Sequence, residues 1–279
     1  MARTPRQPAV VGLIKRTFKS RFALARLTRR AFFGRIIRRF LFKGDEIFYL
    51  PRLPRDGTIL IDQDVGPAPD SMPVPSRLID HFIDRAEVLV VLDKCICRDA
   101  SHCKDYPVDL GCLFLGKAAA RISPALGRRV TKDEARDHVR RGQEAGLVHL
   151  VGKNKLDTVW LNVAPGEKLL TICSCCPCCC LWRMLPDLAP AISGKITRLP
   201  GVSVAVTDRC QGCGTCADGR CFVNAIHLQD GRASIDQGTC RGCGRCAEAC
   251  PSKAIEVRIS DGLFIDKTIE AIERIVDVT

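Results

Sequence analysis

The chain has 279 residues, a formal net charge of +12 and 18 cysteines, and 46% of its residues are hydrophobic. Secreted scaffolds held by disulfides are usually much shorter, and no apolar segment with a cleavage site opens the sequence, so we expect free thiols in a cytoplasmic chain. No apolar run reaches the roughly 18 residues that a membrane span requires. These features predict a soluble chain or one that lies at a membrane surface.

The excess positive charge belongs to the first 44 residues, which contain 13 Lys or Arg and no Asp or Glu. Large apolar residues recur in the same segment at helical spacing, and residues 1–50 are therefore predicted to form a basic amphipathic arm. The predicted apolar stripe consists of Ile14, Phe18, Phe22, Ala25, Phe32, Ile36 and Phe40.

Such an arm is suited to two kinds of surface. Residues 1–44 are expected to dock on an anionic membrane, at the periphery of the cytoplasm, or on an acidic partner subunit. A packed helix with a solvated face and a transit peptide are the alternatives. Lys and Arg also pair with nucleic-acid phosphates, but no nucleic-acid-binding motif accompanies them, so no specific nucleic acid is expected.

The remainder divides by composition into four segments. Six prolines make 51–76 an extended connector, with a short strand at 58–62. Residues 77–200 are predicted to form an α/β domain with ten of the cysteines, and 201–259 a smaller module with the other eight. Residues 260–279 are predicted to form a C-terminal helix that packs on the body.

Local patterns predict the elements of the α/β domain. The capping box from Thr131 to Glu134 should open a helix that ends at Gly146. The other predicted elements are a helix at 77–85 and strands at 87–92, 147–151 and 158–163.

Two runs of four cysteines dominate the C-terminal module. Cys210, Cys213, Cys216 and Cys221 have the spacing C-x2-C-x2-C-x4-C. Cys240, Cys243, Cys246 and Cys250 have the spacing C-x2-C-x2-C-x3-C and precede a proline. The second spacing is typical of a [4Fe-4S] site, although C-x2-C pairs also suit zinc.

With these motifs, residues 201–259 resemble a bacterial-type ferredoxin with two [4Fe-4S] clusters and a βαββαβ fold. The resemblance implies one cluster on Cys210, Cys213, Cys216 and Cys250. It implies a second cluster on Cys240, Cys243, Cys246 and Cys221. The chain departs from the family pattern at Cys221, which has one extra residue before it and Phe222 where the family has proline.

The other ten cysteines lie in two sets within 77–200. The first set, Cys95, Cys97, Cys103 and Cys112, includes the motif Cys-x-Cys-Arg. The second set is Cys173, Cys175, Cys176, Cys178, Cys179 and Cys180. Together with 107–112 and 146–149, these motifs resemble poorly characterised iron–sulfur proteins of anaerobic bacteria and archaea, over about residues 75–259.

That resemblance implies one or two further iron–sulfur clusters in 77–200. Adjacent cysteines tend to point apart, so the six thiols of 173–180 are not expected to bind one cluster. Zinc or a redox-active dithiol is the alternative for these ten cysteines. Arg98 is expected either to neutralise an anionic cluster or to form a surface salt bridge, and His102 either to bind metal or to lie in solvent.

The fold class expected from these segments is α+β: a basic helical arm, a cysteine-rich α/β domain and a ferredoxin-like two-cluster module. The leading functional hypothesis is a ferredoxin-type subunit that relays single electrons between redox partner proteins. Two alternatives remain: a reductase with an open-site cluster or a redox dithiol in the N-terminal domain, and a structural or regulatory iron–sulfur protein that binds nucleic acid. No catalytic motif is recognised, which favours an electron carrier or redox-complex subunit over a stand-alone enzyme.

Overall fold

The computed structural model describes residues 6–52, 60–61, 74–260 and 263–279. The helices are α1 (Arg6–Thr17), α2 (Arg21–Leu27), α3 (Ala31–Leu41), α4 (Val74–Arg85), α5 (Ile96–Ala100), α6 (Lys132–Glu144), α7 (Lys155–Trp160), α8 (Pro190–Ser193), α9 (Arg245–Ala249) and α10 (Phe264–Glu273). The strands are β1 (Glu46–Tyr49), β2 (Leu60–Ile61), β3 (Leu89–Leu92), β4 (Leu113–Leu115), β5 (Gly127–Arg129), β6 (Val148–Lys153), β7 (Leu170–Cys175), β8 (Ile196–Arg198), β9 (Val202–Val206), β10 (Ile226–Gln229), β11 (Arg232–Ile235) and β12 (Ile255–Ile259). The mixture of helices and strands confirms the expected α+β class.

A seven-stranded sheet with the order β5-β3-β4-β7-β6-β1-β8 organises the larger part of the chain. Its strands pair antiparallel except β1 and β8, which are parallel. Alternate residues of β3 enter different cores: Leu89 and Val91 pack with α4 and α6, whereas Val90 and Leu92 pack on the side of α1 and the segment after α7. The sheet is therefore covered on both faces, and β7 occupies its centre.

The capping box predicted at Thr131 is present, but one of the predicted strands is a helix. The capping box is confirmed, because the Thr131 hydroxyl accepts from the Glu134 amide and the Glu134 carboxylate accepts from the Thr131 amide. The helix it opens, α6, ends two residues before Gly146, which adopts φ +82°. The strand predicted at 158–163 is wrong, because the Asn154 side chain accepts from the Leu156 amide and starts α7 instead. The strand that pairs with β6 is β7, further along the chain.

The predicted helix at 77–85 is present and begins three residues earlier, in α4. The strand predicted at 87–92 is also present, as β3. Of the strand predicted at 58–62, only 60–61 belongs to the described residues, where it forms β2 and pairs in parallel with β12. The rest of the predicted connector lies largely outside the described residues.

The basic segment forms three helices, so the single apolar stripe predicted along it is wrong. Phe18 and Ala25 are buried, whereas Phe32 and Phe40 on α3 are 70% and 64% exposed. The chain turns after Thr28, between α2 and α3. Gly34 of α3 lies against this turn, where a Cβ would be 2.0 Å from the Thr28 carbonyl oxygen. Part of the predicted stripe therefore belongs to the core and part faces solvent.

The N-terminal helix is fastened to the body by polar contacts. Gln7 is buried, donates to the Arg121 carbonyl oxygen (2.8 Å) and accepts from the Ser123 amide (2.7 Å). Lys15 forms a salt bridge with Asp99 of α5. This helix is therefore a packed element rather than a free arm.

Residues 202–259 form two small sheets. Strands β9 and β12 pair antiparallel, and β10 and β11 form a hairpin. The second cysteine run continues into α9, but the first run has only turns at 215–217 where the resemblance implied a helix. The extra residue before Cys221 lies in this loop.

Helix α10 packs on α4, as expected for the C-terminal segment. None of the helices in the described ranges is long and apolar enough to cross a membrane.

Candidate metal centres

The 18 cysteines are free thiols that fall into four spatial groups. The first group, the outer thiol set, lines one pocket and consists of Cys210, Cys213, Cys216 and Cys250. Cys250 comes from the other cysteine run, so chain topology brings it across to the first run. Burial raises the pKa of Cys216, and the charges of its three partners act in the same direction.

Backbone amides surround the outer set. The Ala233 amide donates to Cys210 Sγ (3.4 Å), and the Ala254 amide donates to Cys250 Sγ (3.3 Å). At Gly212 φ is +65°, and a Cβ there would lie 2.1 Å from the Gly231 carbonyl oxygen, so the loop requires glycine. Amide donors aimed at thiolates stabilise their charged form, which suits an anionic iron–sulfur site.

The second group, the inner thiol set, contains Cys221, Cys240, Cys243 and Cys246. Burial raises the pKa of Cys246, and the charges of Cys243, Cys240 and Cys221 raise it further. Burial also raises the pKa of Cys243 to about 11. Ligation by either set stays a prediction, but the structure brings together the four residues that the resemblance assigned to each.

Cys221 occupies a position equivalent to Cys250 despite the longer loop before it. The Ala225 amide donates to Cys221 Sγ (3.2 Å), just as the Ala254 amide donates to Cys250 Sγ. Each thiol therefore accepts from the amide four residues later. The extra residue is accommodated without displacing the thiol from its set.

The third group, the six-thiol cavity, lies on one side of the central sheet. Its thiols come from the start of α5, the residue before β4, strand β7 and the segment after it: Cys95, Cys97, Cys112, Cys173, Cys175 and Cys180. Cys176 also lines this cavity, but it is counted with the fourth group because its Sγ lies within 4.8 Å of the three sulfurs there. Leu113 of β4 pairs with Ile172 of β7, which brings the preceding Cys112 next to Cys173, and their Sγ atoms are 3.3 Å apart. Trp160, Leu181 and Trp182 line the same cavity and exclude much of the solvent.

Hydrogen bonds among these thiols favour thiolates at two positions. The hydrogen bond from Cys97 lowers the pKa of Cys95 to about 7, although burial opposes it. Hydrogen bonds from Cys173 and Cys180 lower the pKa of Cys175 well below its ordinary value. Thiolates are the form that binds metal, so this cavity is chemically suited to a metal centre.

Arg98 is fully buried beside the cavity, so the surface salt bridge considered for it is wrong. Its guanidinium donates to the backbone carbonyl oxygens of Ser174 (2.7 Å) and Leu110. Burial opposes its charge, but the thiolates of Cys95 and Cys176 outweigh that effect and raise the pKa of Arg98. The side chain therefore supplies a fixed positive charge next to the thiols.

The fourth group, the four-thiol site, consists of Cys103, Cys176, Cys178 and Cys179. Its Sγ atoms all lie within 4.8 Å of one another. His102 is exposed, adopts φ +49° and is absent from this group. Sequence spacing gave no means of dividing the ten thiols of 77–200 into six and four, because the division depends on contacts such as Cys103 with Cys178, which are 75 residues apart in the chain.

Two residues that the sequence analysis missed connect the inner thiol set with the six-thiol cavity. Tyr49 of β1 is buried, and burial together with the charges of Cys180, Cys175 and Cys243 raises its pKa. Arg245 of α9 donates a hydrogen bond to the Cys175 carbonyl oxygen. The only sequence signal for Arg245 was its place in the repeat, where the first run has Thr215.

Comparison with known families matches residues 233–256 to the family described as 4Fe-4S binding domain. The matched segment contains the second cysteine run, Cys240, Cys243, Cys246 and Cys250. No curated protein and no solved structure matches the chain. The chain therefore carries an iron–sulfur binding segment at 233–256, joined to a cysteine-rich body.

Proposed function

We propose that the chain is a ferredoxin-type protein that relays single electrons between redox partner proteins. A [4Fe-4S] cluster supplies one-electron chemistry when it is bound. The observation that carries the proposal is the arrangement of thiols: each cysteine run contributes to both the outer and the inner set, and the inner set adjoins the six-thiol cavity. Tyr49 and Arg245 occupy the junction between the last two.

The outer and inner sets each offer the four thiols that a cubane requires. Cys213 of the outer set is exposed, so a partner protein can approach this end closely. Cys243 of the inner set is half-buried. The buried rings of Phe222 and Tyr49 pack on each other next to this set, with ring centroids 4.9 Å apart. Burial of this kind excludes water and side reactions from the inner end of the path.

In the six-thiol cavity, we assign a further cluster to Cys95, Cys97, Cys175 and Cys180. The lowered pKa values of Cys95 and Cys175 support thiolates at two of these positions. Cys97 and Cys180 hydrogen-bond to those two residues, respectively. The positive charge of Arg98 offsets the negative charge that four thiolates would bring into a buried site.

Electron counting tests this function. Anaerobically purified full-length protein is reduced, freed of reductant and mixed with a one-electron acceptor in a stopped-flow instrument. We expect release of about three electrons per chain, one for each cluster. Failure of the reduced protein to donate any electron to the acceptor would reject the relay.

A second candidate function rests on the pair of thiols left over in the cavity. Cys112, just before β4, and Cys173 of β7 have their sulfurs 3.3 Å apart, a separation that suits a reversible disulfide. Oxidation of this dithiol forms one S–S bond and releases two electrons and two protons. The adjoining clusters would then feed a dithiol reductase.

The same counting separates the two candidates. A working dithiol raises the count from about three to about five electrons per chain, because one disulfide exchanges two electrons. Cys112→Ser should bring the count back to about three. An unchanged count in that variant would show that the pair takes no part.

We also propose that α3 attaches the protein to an anionic membrane surface. Phe32, Phe33, Ile36 and Phe40 are exposed on this helix, whereas Ile37 is buried against the body. Arg35, Arg38 and Arg39 flank the apolar residues and are exposed. At a membrane surface, the exposed aromatic residues can insert among the acyl chains while the nearby arginines pair with anionic headgroups.

A further inference from the structure

Within the described part of the chain, the four-thiol site of Cys103, Cys176, Cys178 and Cys179 is distinguished by having all of its sulfurs within 4.8 Å of one another. We propose that it binds a single Zn²⁺ ion in a structural, tetrahedral site rather than an iron–sulfur cubane. This site goes beyond the relay, because Zn²⁺ has no redox chemistry.

The separation between sulfurs decides between the two kinds of centre. Four thiolates about 2.3 Å from one zinc ion form a tetrahedron with edges of about 3.8 Å. In the four-thiol site, Cys178 Sγ lies 3.6 Å from the Sγ atoms of both Cys103 and Cys179, and all four lie within 4.8 Å of one another. The thiolates of a cubane stand further apart, because four iron atoms and four sulfides separate them.

The local backbone also resembles a metal-binding turn. Cys176 and Cys179 have the C-x2-C spacing found in structural zinc sites. The Cys179 amide donates to Cys176 Sγ (3.3 Å), so the turn holds the Cys176 sulfur toward the site. Both residues are buried, at 3% and 7% exposure, and thiols account for all four ligands, so no position stays open for a substrate.

The placement of the site indicates its role. Cys103 follows α5, and the other three cysteines follow β7. Bridging these two segments fixes the positions of Cys95 and Cys97 relative to Cys175 and Cys180, the residues proposed to hold the cluster in the six-thiol cavity. The buried charge of Arg98 lies near Cys176 as well as Cys95, so the same guanidinium serves both centres.

Metal analysis of the full-length protein tests this inference. The protein is produced anaerobically in medium that contains both zinc and iron, and both metals are measured per chain. We expect about one zinc in the wild type, and a loss of at least five-fold in zinc with unchanged iron in Cys178→Ser. His102→Asn is the matched control, because His102 adjoins Cys103 but is exposed, and it should retain its zinc.

Zinc retained in Cys178→Ser, or about four iron atoms lost from it in place of zinc, would overturn the proposal. Where that variant fails to fold, zinc K-edge X-ray absorption on the wild type decides. Four sulfur ligands at about 2.3 Å support the site, whereas nitrogen or oxygen ligands reject it. If the zinc site is rejected while the electron count stays near three, the proposed relay still stands. The two proposals can therefore be rejected independently.

Discussion

Arg245 donates a hydrogen bond to the backbone carbonyl oxygen of Cys175, and so joins the helix of the second cysteine run to the central strand of the main sheet. The bond is buried and crosses between the inner thiol set and the six-thiol cavity. A guanidinium in this position places positive charge beside both. Its charge should stabilise whichever neighbouring centre carries the extra electron.

Replacing Arg245 with a neutral residue should change the reduction potential of the inner-set cluster. Arg245→Gln is expected to lower the potential of the inner-set cluster by on the order of 50 mV, since a loss near 1 kcal/mol corresponds to tens of millivolts for one electron. A redox titration followed by EPR measures the change. Arg245→Lys keeps the charge and should show a smaller change, whereas equal potentials in all three proteins would contradict the role of Arg245.

The crossing of the fourth cysteines predicts a pair of reciprocal losses. Cys250→Ser should damage the cluster held by Cys210, Cys213 and Cys216, although Cys250 belongs to the other run, because Cys250 lies in the outer set. Cys221→Ser should damage the inner-set cluster instead. EPR and iron content of the two variants report which cluster is lost, and loss from the opposite set in either variant would refute the assignment.

A buried carboxyl should make stability depend on pH. Asp45 is 5% exposed, and burial raises its pKa to about 7 although it accepts from the Lys155 amide. The folded protein therefore holds a proton at Asp45 that the unfolded chain releases above pH 4, and the stabilisation is lost as pH rises through 7. From pH 5 to pH 8 the free energy of unfolding should fall by on the order of 2 kcal/mol through this group.

Asp45→Asn should remove that part of the pH dependence. Denaturant unfolding of the wild type and the variant at pH 5 and pH 8 measures it. Asp133→Asn is the control, because Asp133 has an almost fully exposed side chain, and it should follow the wild type. Parallel pH dependence of wild type and Asp45→Asn would show that Asp45 is ionised throughout.

The exposed face of α3 predicts binding to anionic vesicles. Phe32→Ser combined with Phe40→Ser should reduce co-sedimentation with phosphatidylserine vesicles at least ten-fold, because two exposed aromatic anchors are lost. Leu13→Ser on α1 is the control, since Leu13 is 63% exposed but lies on another helix, and it should bind as the wild type does. Binding of both variants at the wild-type level would reject attachment through α3, and capture by an acidic subunit in place of vesicles would favour a protein partner.

Truncation of the basic segment is a poor test of attachment for a structural reason. Phe18 packs edge-on against Trp160, and Ala25 is buried. Removal of residues 1–44 would uncover this core next to the six-thiol cavity. Sequence periodicity showed the amphipathic character of the segment but not the change of direction at Thr28, which depends on the close contact with Gly34.

The sequence predicted most where spacing alone determines chemistry. The repeat of cysteines and glycines in 201–259 indicated a 4Fe-4S segment, and the capping box at Thr131 located the start of α6. It predicted least where distant segments meet. The apolar residues of 158–163 suit a strand or a helix equally, and the Asn154 cap starts a helix there. The role of Arg245 depends on a contact 70 residues away along the chain, and the role of Tyr49 on contacts still further away.

The proximity of the inner-set cluster to the cavity cluster is tested most directly by EPR of reduced protein in Cys216→Ser, which removes a ligand of the outer set. We predict about two unpaired electrons per chain, one for each remaining reduced cluster, with spectra broadened by magnetic interaction between the two. One unpaired electron per chain, or two spectra without mutual broadening, would contradict a relay through Tyr49 and Arg245.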